Sequence, residues 1–450
     1  MNGYLAIRGG RVLDPGRGLN TIADVLMEGG RIAKVGAALA AAQVIDAEGL
    51  VVCPGFVDIH CHLRDPGFEH KETIETGTRA AARGGFTTVC CMPNTEPPID
   101  SQATVEYVLR TAAAVGLVRV LPIGCVSRGR HGETLAELAD LAQAGVAGFS
   151  DDGNPVADAS LMRRALEYSQ ALGLPVIDHC EEPSLTKDGV MHEGWVATRL
   201  GLHGQPTAAE EAAVARDIAL AEFTGSHVHI AHVSTRGSVE LVRAAKARGV
   251  SVTAEVTPHH LTLTHEAVAF SPASPAGNGG LSYDTNAKVN PPLRTREDVE
   301  ACVEGLLDGT IDAIATDHAP HALEDKLCEF DQAAFGISNF ETALGALLTL
   351  VPEGRLDLAT LIAKLTAGPV RALGLDRRPG LDGLGSLAPG APADVVVFDP
   401  QREWVVEPER FASKGRNTPL AGRTLRGQVV ATVYDGRIVY ALETARIAPT

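Results

Sequence analysis

Aromatic residues are scarce in this chain, 4% of 450 residues, so its core must be built from Ala, Val, Leu and Ile. No Cys-x-x-Cys pair occurs. The eight cysteines fall at irregular spacings, with Cys90 and Cys91 adjacent and Cys61 set between two histidines. That usage argues against a disulfide scaffold and for a reduced intracellular protein. No run of Lys or Arg offsets the acidic balance of 56 acidic against 39 basic residues, a formal charge of −17. Such a surface repels phosphate backbones and anionic lipid head groups, so neither a nucleic-acid nor a membrane partner is expected. Nowhere do about 18 apolar residues run unbroken, and residues 1–10 contain no apolar signal core, so the expected location is cytoplasmic. Lysine is absent between Lys71 and Lys187, which bears on the chemistry below.

What is present is ordinary for a globular enzyme: 45% hydrophobic and 21% charged residues. The length suits a large α/β barrel with a minor appendage. The first fifty or so residues read as short strands and turns, including Ala23–Met27 and Arg31–Val35 around the turn Glu28-Gly29-Gly30. The last sixty or so read the same way, with strands at Asp394–Phe398 and Val429–Val433 and a hairpin turn at Asp435-Gly436. The middle alternates. Short apolar runs lie near 51–60, 86–92, 118–124, 146–150, 174–179, 227–232, 250–256 and 311–317, with Ala- and Leu-rich helical stretches such as 73–83, 208–222 and 239–248 between most of them. Eight strand-helix units predict a (β/α)₈ TIM-type barrel in preference to a doubly wound open sheet. The predicted organisation is a barrel over 54–380 and a small β-sandwich domain formed by both termini, 1–53 and 381–450. One segment breaks the rhythm and predicts an exposed loop, 271–286, rich in Pro, Gly, Ser and Asn; 321–336, which follows the last strand where lids occur, also predicts a long loop.

The chemistry is carried by where polar residues fall on this frame. His60 and His62 end the first strand two residues apart, hence on one face, and two imidazoles on one face suit a zinc-type metal. His179 ends the fifth strand, His232 the sixth and Asp317 the eighth, while Asp151 and Asp152 follow the fourth. On a barrel these ends converge on one rim, where imidazoles and a shared carboxylate can hold two metal ions. His227 and His229 lie earlier on their strand and suit packing. His259 and His260, after the seventh strand, read as rim residues, and Cys61 faces away from the histidine pair.

Several motifs in order, Asp58-Ile-His-Cys-His-Leu-Arg-Asp-Pro-Gly67, Lys71-Glu-Thr-Ile-Glu-Thr-Gly-Thr78, Met92-Pro-Asn-Thr95, Asp151-Asp-Gly153, Asn290-Pro-Pro-Leu-Arg294 and Thr316-Asp-His-Ala-Pro-His321, resemble the bacterial type I dihydroorotases of the amidohydrolase superfamily. The likeness runs from about Leu5 to Tyr440. It implies reversible, zinc-dependent interconversion of N-carbamoyl-L-aspartate and (S)-dihydroorotate in de novo pyrimidine (UMP) biosynthesis. It further implies two Zn²⁺ ions per subunit. His60, His62 and Asp317 would hold one, His179 and His232 the other, and Asp152 would bridge them; the choice of Asp152 over Asp151 comes from the resemblance alone. Asp317 would also be the catalytic proton carrier. His62, Arg64, Asn94, Asn290, His321 and the backbone of Phe335-Gly336 would contact the small-molecule substrate, and His318 would stand behind the ligands. A homodimer is also implied. Two departures stand out: the family's His-Cys-Glu-Asp reads His179-Cys-Glu-Glu182 here, and the 271–286 loop is longer than usual.

Dihydropyrimidinases, hydantoinases and allantoinases are the nearest rival reading. Those relatives bridge their metals with a carboxylated lysine after the fourth strand, which the lysine-free stretch from 72 to 186 cannot supply. An inactive scaffold for aspartate carbamoyltransferase should have lost metal ligands, whereas every position is filled here; filled positions remain compatible with an active enzyme that associates with that partner.

Overall fold

The computed structural model describes residues 4–39, 41–270 and 281–449. The chain opens with strands β1 (Leu5–Asp14), β2 (Leu19–Glu28), β3 (Arg31–Gly36), β4 (Gln43–Asp46) and β5 (Val51–Pro54). The β2–β3 hairpin turns at Gly29 and Gly30, both at positive φ (57° and 76°), a conformation glycine adopts without a Cβ penalty. The middle of the chain supplies β6 (Phe56–Cys61), β7 (Phe86–Cys91), β8 (Arg119–Pro122), β9 (Val176–Asp178), the short parallel pair β10 (Met191–His192) and β11 (Gly204–Gln205), then β12 (Val228–Ile230), β13 (Val252–Val256) and β14 (Ala313–Ile314). It closes with β15 (Val395–Val405), β16 (Thr424–Tyr434), β17 (Arg437–Ala441) and β18 (Arg446–Pro449).

Both ends of the chain meet in one sheet. Its order is β17-β16-β15-β5-β1-β2-β3, with β4 beside β1 and β18 beside β4. The join is β15 antiparallel to β5, with Val395 opposite Pro54. This sheet packs its own apolar cluster, including Ile7, Val12, Val25, Ile45, Val395 and Val397.

The middle strands are parallel, in the orders β6-β7-β8 and β14-β13-β12-β9. Single-residue bridges link the two groups on both sides: Gly124 to Phe149 and Phe149 to Val176 on one, Cys61 to His318 on the other. Helices such as Ile74–Gly84, Ala159–Leu172, Thr207–Thr224 and Arg236–Ala247 connect them. The first shows why these stretches are helical. Thr73 and Thr76 form a capping box, Gly85 ends the helix at φ 90°, and Ile74, Gly77, Thr78 and Ala80–Ala82 are buried. A cap of this kind is worth about 1 kcal/mol.

Two strand expectations need correction. The run 51–60 is not one strand; it breaks at Gly55. A Cβ there would lie 2.2 Å from Thr87 Oγ1, so only glycine lets the chain leave the terminal sheet and enter the parallel one. The run 146–150 forms no ladder and pairs only at Phe149. The neighbouring Pro122 and Pro175 accept from Ala147 and Phe149 through their carbonyls, but proline has no N–H to return. Loop 321–336 is irregular apart from the 3₁₀ turn Leu323–Asp325. Most of the other predicted loop, 271–280, lies outside the described residues. Among the described residues no helix is long and apolar enough to cross a membrane.

Candidate active site

The predicted ligands converge at the carboxyl ends of the parallel strands. His60 is the penultimate residue of β6 and His62 follows that strand; His179 follows β9, and His232 and Asp317 lie just past β12 and β14. Asp152 reaches four imidazoles. Its Oδ1 lies 3.3 Å from His60 Nε2, 3.6 Å from His232 Nε2 and 3.8 Å from His179 Nδ1, and its Oδ2 lies 3.6 Å from His62 Nε2. Asp317 Oδ1 is 3.0 Å from His62 Nε2 and 3.7 Å from His60 Nε2. Donors bound to one tetrahedral zinc at about 2.0–2.1 Å stand roughly 3.3 Å apart, so these spacings are those of a ligand shell. Among the described residues, three groups bring one donor atom each within 4.8 Å of one another: His60–His62–Asp317 and His60–Asp152–His232 here, and Asp178–Cys180–Asp217 away from this centre. Asp151, by contrast, turns away: its Oδ1 accepts from the backbone N–H groups of Val126 (2.9 Å) and Ser127 (3.0 Å).

The donor set fits a divalent cation in three further respects. First, His60 Nε2 and Asp152 Oδ1 are buried, 3.3 Å apart, and make no well-formed hydrogen bond among the described residues; groups so placed are costly unless something pairs with them. Second, the far nitrogen of each of three rings has an acceptor. His60 Nδ1 donates to Glu255 (2.6 Å), His62 Nδ1 to Asn94 Oδ1 (2.8 Å) and His179 Nε2 to Glu181 (3.2 Å). Each bond leaves the inner nitrogen a lone pair, the tautomer a metal requires. Third, the local field favours positive charge. Burial alone would lower the pKa of His60 and His179, yet Asp152 with Glu255, and Glu181 with Asp152, raise them.

Backbone conformation marks the same residues. Arg64, His232 and Asp317 have φ of 63°, 30° and 44°, a left-handed conformation that costs a non-glycine residue on the order of 1–3 kcal/mol and persists only where surroundings impose it. Around Asp317 that restraint is visible. Asp58 accepts from Thr316 N (2.8 Å) and Oγ1 (2.6 Å), Asn339 Nδ2 donates to Thr316 O (2.9 Å), and His62 N donates to His318 O (2.9 Å).

Sequence reasoning did not pick out Asp58, Glu181, Glu255 or Asn339 as supports. Glu255 carried a legible signal: a carboxylate inside the apolar run Val252-Thr-Ala-Glu-Val256 must be paired if buried. Burial would raise its pKa, but His60 and His229 bring it down to about 2. It holds the His60 ring and, through Oε2, His229 Nε2 at 3.2 Å. Glu255→Gln is expected to weaken metal affinity about 10- to 100-fold, measured by chelator competition; an unchanged affinity would show that Glu255 does not orient His60.

Above this centre lies a cavity of about 280 Å³ lined by His62, Arg64, Asn94, Asp152, His179, His232, Asn290, Asp317, His321, Phe335 and Gly336, among others. Every predicted ligand and substrate contact therefore lines one space, except His60, which is fully buried beneath it. Arg64 Nε donates to Pro320 O at 3.2 Å, and burial lowers its pKa only to about 10, so it stays charged at neutral pH. Asn290 Nδ2 donates to Glu181 (2.7 Å), and His321 Nε2 donates to Phe335 O (2.8 Å). His227 and His229, expected to pack, both bond Thr253 Oγ1, and His260 bonds Thr257 Oγ1 and Pro291 O. His318 sits behind the ligands against Glu72, and Cys61 is buried against Cys90 O.

A sequence profile described as "Dihydro-orotase-like" matches residues 49–238. A relative named "Dihydroorotase" from Syntrophotalea carbinolica is 52% identical over 97% of this chain and 99% of its own length. One of the same name from Pelotomaculum thermopropionicum is 54% identical over 97% and 98%. The chain belongs to the dihydroorotase family. Among solved structures, L-hydantoinase (dihydropyrimidinase) from Arthrobacter aurescens aligns with a TM-score of 0.84 at 25% identity, over 99% of this chain and 98% of that one. Dihydropyrimidinase from Brevibacillus agri, with a TM-score of 0.79 at 24% identity over 97% and 95%, shares the fold. The departure from the dihydroorotase pattern at Glu182 is peripheral: its carboxylate caps the short helix Pro183–Thr186 through Ser184 N (3.2 Å) and is not among the residues lining the cavity.

Proposed function

We propose that this chain closes N-carbamoyl-L-aspartate to (S)-dihydroorotate and reopens it, in the manner of a bacterial type I dihydroorotase with two zinc ions per subunit. The observation that supports this most is the shared cavity: a charged guanidinium, Arg64, faces the same space as the His/Asp donor cluster. His60, His62 and Asp317 would hold one ion, His179 and His232 the other, with Asp152 reaching both. Bound there, the metal supplies Lewis acidity, making water acidic near neutral pH and the amide carbonyl electrophilic.

The chain's own residues do the rest. Arg64 binds the substrate carboxylate through its planar fork. Asn94, Asn290, His321 and the Phe335-Gly336 backbone orient the ring's polar groups. Asp317 takes a proton from the attacking water on a carboxylate oxygen and returns it to the departing amide nitrogen; ring closure runs the same transfers backwards. His60, in the floor, is kept in register by Glu255.

The same reading takes 54–380 as a closed (β/α)₈ barrel and 1–53 with 381–450 as one β-sandwich domain, supported by the bridges on both sides of the parallel strands and the separate apolar cluster of the terminal sheet. It takes the working unit as a cytoplasmic homodimer, and filled ligand positions are compatible with association with aspartate carbamoyltransferase. The zinc-loaded protein should hydrolyse dihydroorotate, lose that activity on chelation and regain it with added zinc. Turnover that persists after complete metal removal would contradict the reading.

A further inference from the structure

We infer that residues 413–417, on the stretch that returns to the terminal sheet, are a positioning element of the active site, with Asn417 as its key side chain. The inference rests on the assignment of His321 and Phe335-Gly336 as substrate contacts. Asn417 is only 4% exposed. Its Nδ2 donates to Ala319 O and Gly336 O, both at 3.0 Å. Its Oδ1 accepts from His321 N at 3.0 Å and from Ser338 Oγ at 3.1 Å. A carboxamide has two N–H donors and two acceptor lone pairs, so its whole capacity is spent on these groups. The backbone adds to it, as Ser338 N donates to Asn417 O at 2.8 Å.

One side chain thus ties the backbone just past Asp317 to the far end of the 321–336 loop. Ala319, His321 and Gly336 line the cavity, so a shift of this clamp moves the wall that faces substrate. The neighbours of Asn417 act on the same region. Ser413 Oγ and Lys414 N both bond Glu72, whose Oε2 lies 3.4 Å from His318 Nε2. Gly415 leaves no slack: a Cβ there would come 2.4 Å from Pro320 Cβ and 2.5 Å from Ser338 Oγ. None of the metal donors touches Asn417, so the clamp acts on substrate placement rather than on metal binding.

The test is steady-state kinetics of the zinc-loaded holoenzyme, with metal content and Tm measured on the same samples. Asn417→Ala is expected to raise KM for dihydroorotate on the order of 10- to 100-fold, since small misplacement of positioning groups has effects of that size. Its kcat and metal content should stay near wild type. Asn417→Asp, which keeps the acceptor and loses both donations, should fall between. Arg410→Ala, which removes an exposed pair with Glu407 just outside this stretch, should match wild type. His321→Ala is measured alongside. A raised KM in both His321→Ala and Asn417→Ala supports the inference. A raised KM in His321→Ala alone overturns the inference and leaves the substrate-contact reading standing. An unchanged KM in His321→Ala overturns that reading and the inference with it. If Asn417→Ala does not fold, Asn417→Asp and Gly415→Ala are judged by the same criterion. A fall in Tm, metal content and kcat at constant KM would mark Asn417 as merely structural and overturn the proposal.

Discussion

Asp317→Asn is expected to lower kcat for dihydroorotate hydrolysis by about 10⁴-fold, the upper range for loss of a general acid–base group. The substitution keeps the side-chain volume and one oxygen, but a carboxamide cannot take a proton from water and pass it to the amide nitrogen. Asp317 is suited to that relay by position. It is buried, its Oδ1 stands 3.0 Å from His62 Nε2 and 3.7 Å from His60 Nε2, and it lines the same cavity as Arg64. Its backbone is held at φ 44° through Thr316, so the carboxylate has little freedom to move away. Because it is also one of the proposed metal donors, kinetics must be paired with metal analysis. A variant that retains both ions and is slowed in both directions supports the proton role. One that retains them and keeps kcat within tenfold of wild type would remove Asp317 from the mechanism.

Arg64→Ala is expected to lower kcat/KM for dihydroorotate roughly 10²-fold, mainly through KM, because a charge-assisted hydrogen-bonded contact contributes about 1.5–3 kcal/mol. The same variant should treat dihydrouracil, which has no carboxylate, no worse than wild type does, so discrimination between the rings should narrow. Arg64→Lys should recover only part of the loss, since an ammonium is a point charge and cannot form the paired bonds of a guanidinium. Equal losses on charged and uncharged rings would mean that Arg64 shapes the loop instead of reading the carboxylate. The features such a role would use are the φ of 63° at Arg64 and the bond from its Nε to Pro320 O.

The parts of this site that were legible in the sequence share one property: they sit at strand ends, where local periodicity fixes direction. His60 and His62 alternate with Cys61, and the structure turns both imidazoles to Asp317 while Cys61 packs against Cys90. Which of Asp151 and Asp152 faces the histidines was not a matter of periodicity. It is decided by Val126 and Ser127, whose N–H groups capture Asp151 from a neighbouring segment. The break at Gly55 was hidden for a similar reason, because the clash it avoids is with Thr87 on another strand. Supports such as Glu255, Asn339 and Asn417 act on residues far away in the chain, so no local pattern pointed to their partners. The terminal sheet was readable because its turns are written in glycine, whereas the run 146–150 misled because two flanking prolines withhold the N–H groups a ladder needs.

The most direct test of the central claim is to assay the zinc-loaded protein on dihydroorotate, hydantoin, dihydrouracil and allantoin in parallel. The site geometry predicts turnover of dihydroorotate, abolished by chelation, with the three rings that lack a carboxylate far behind. Preferential turnover of one of those three would keep the metal centre and contradict the substrate assignment built on Arg64.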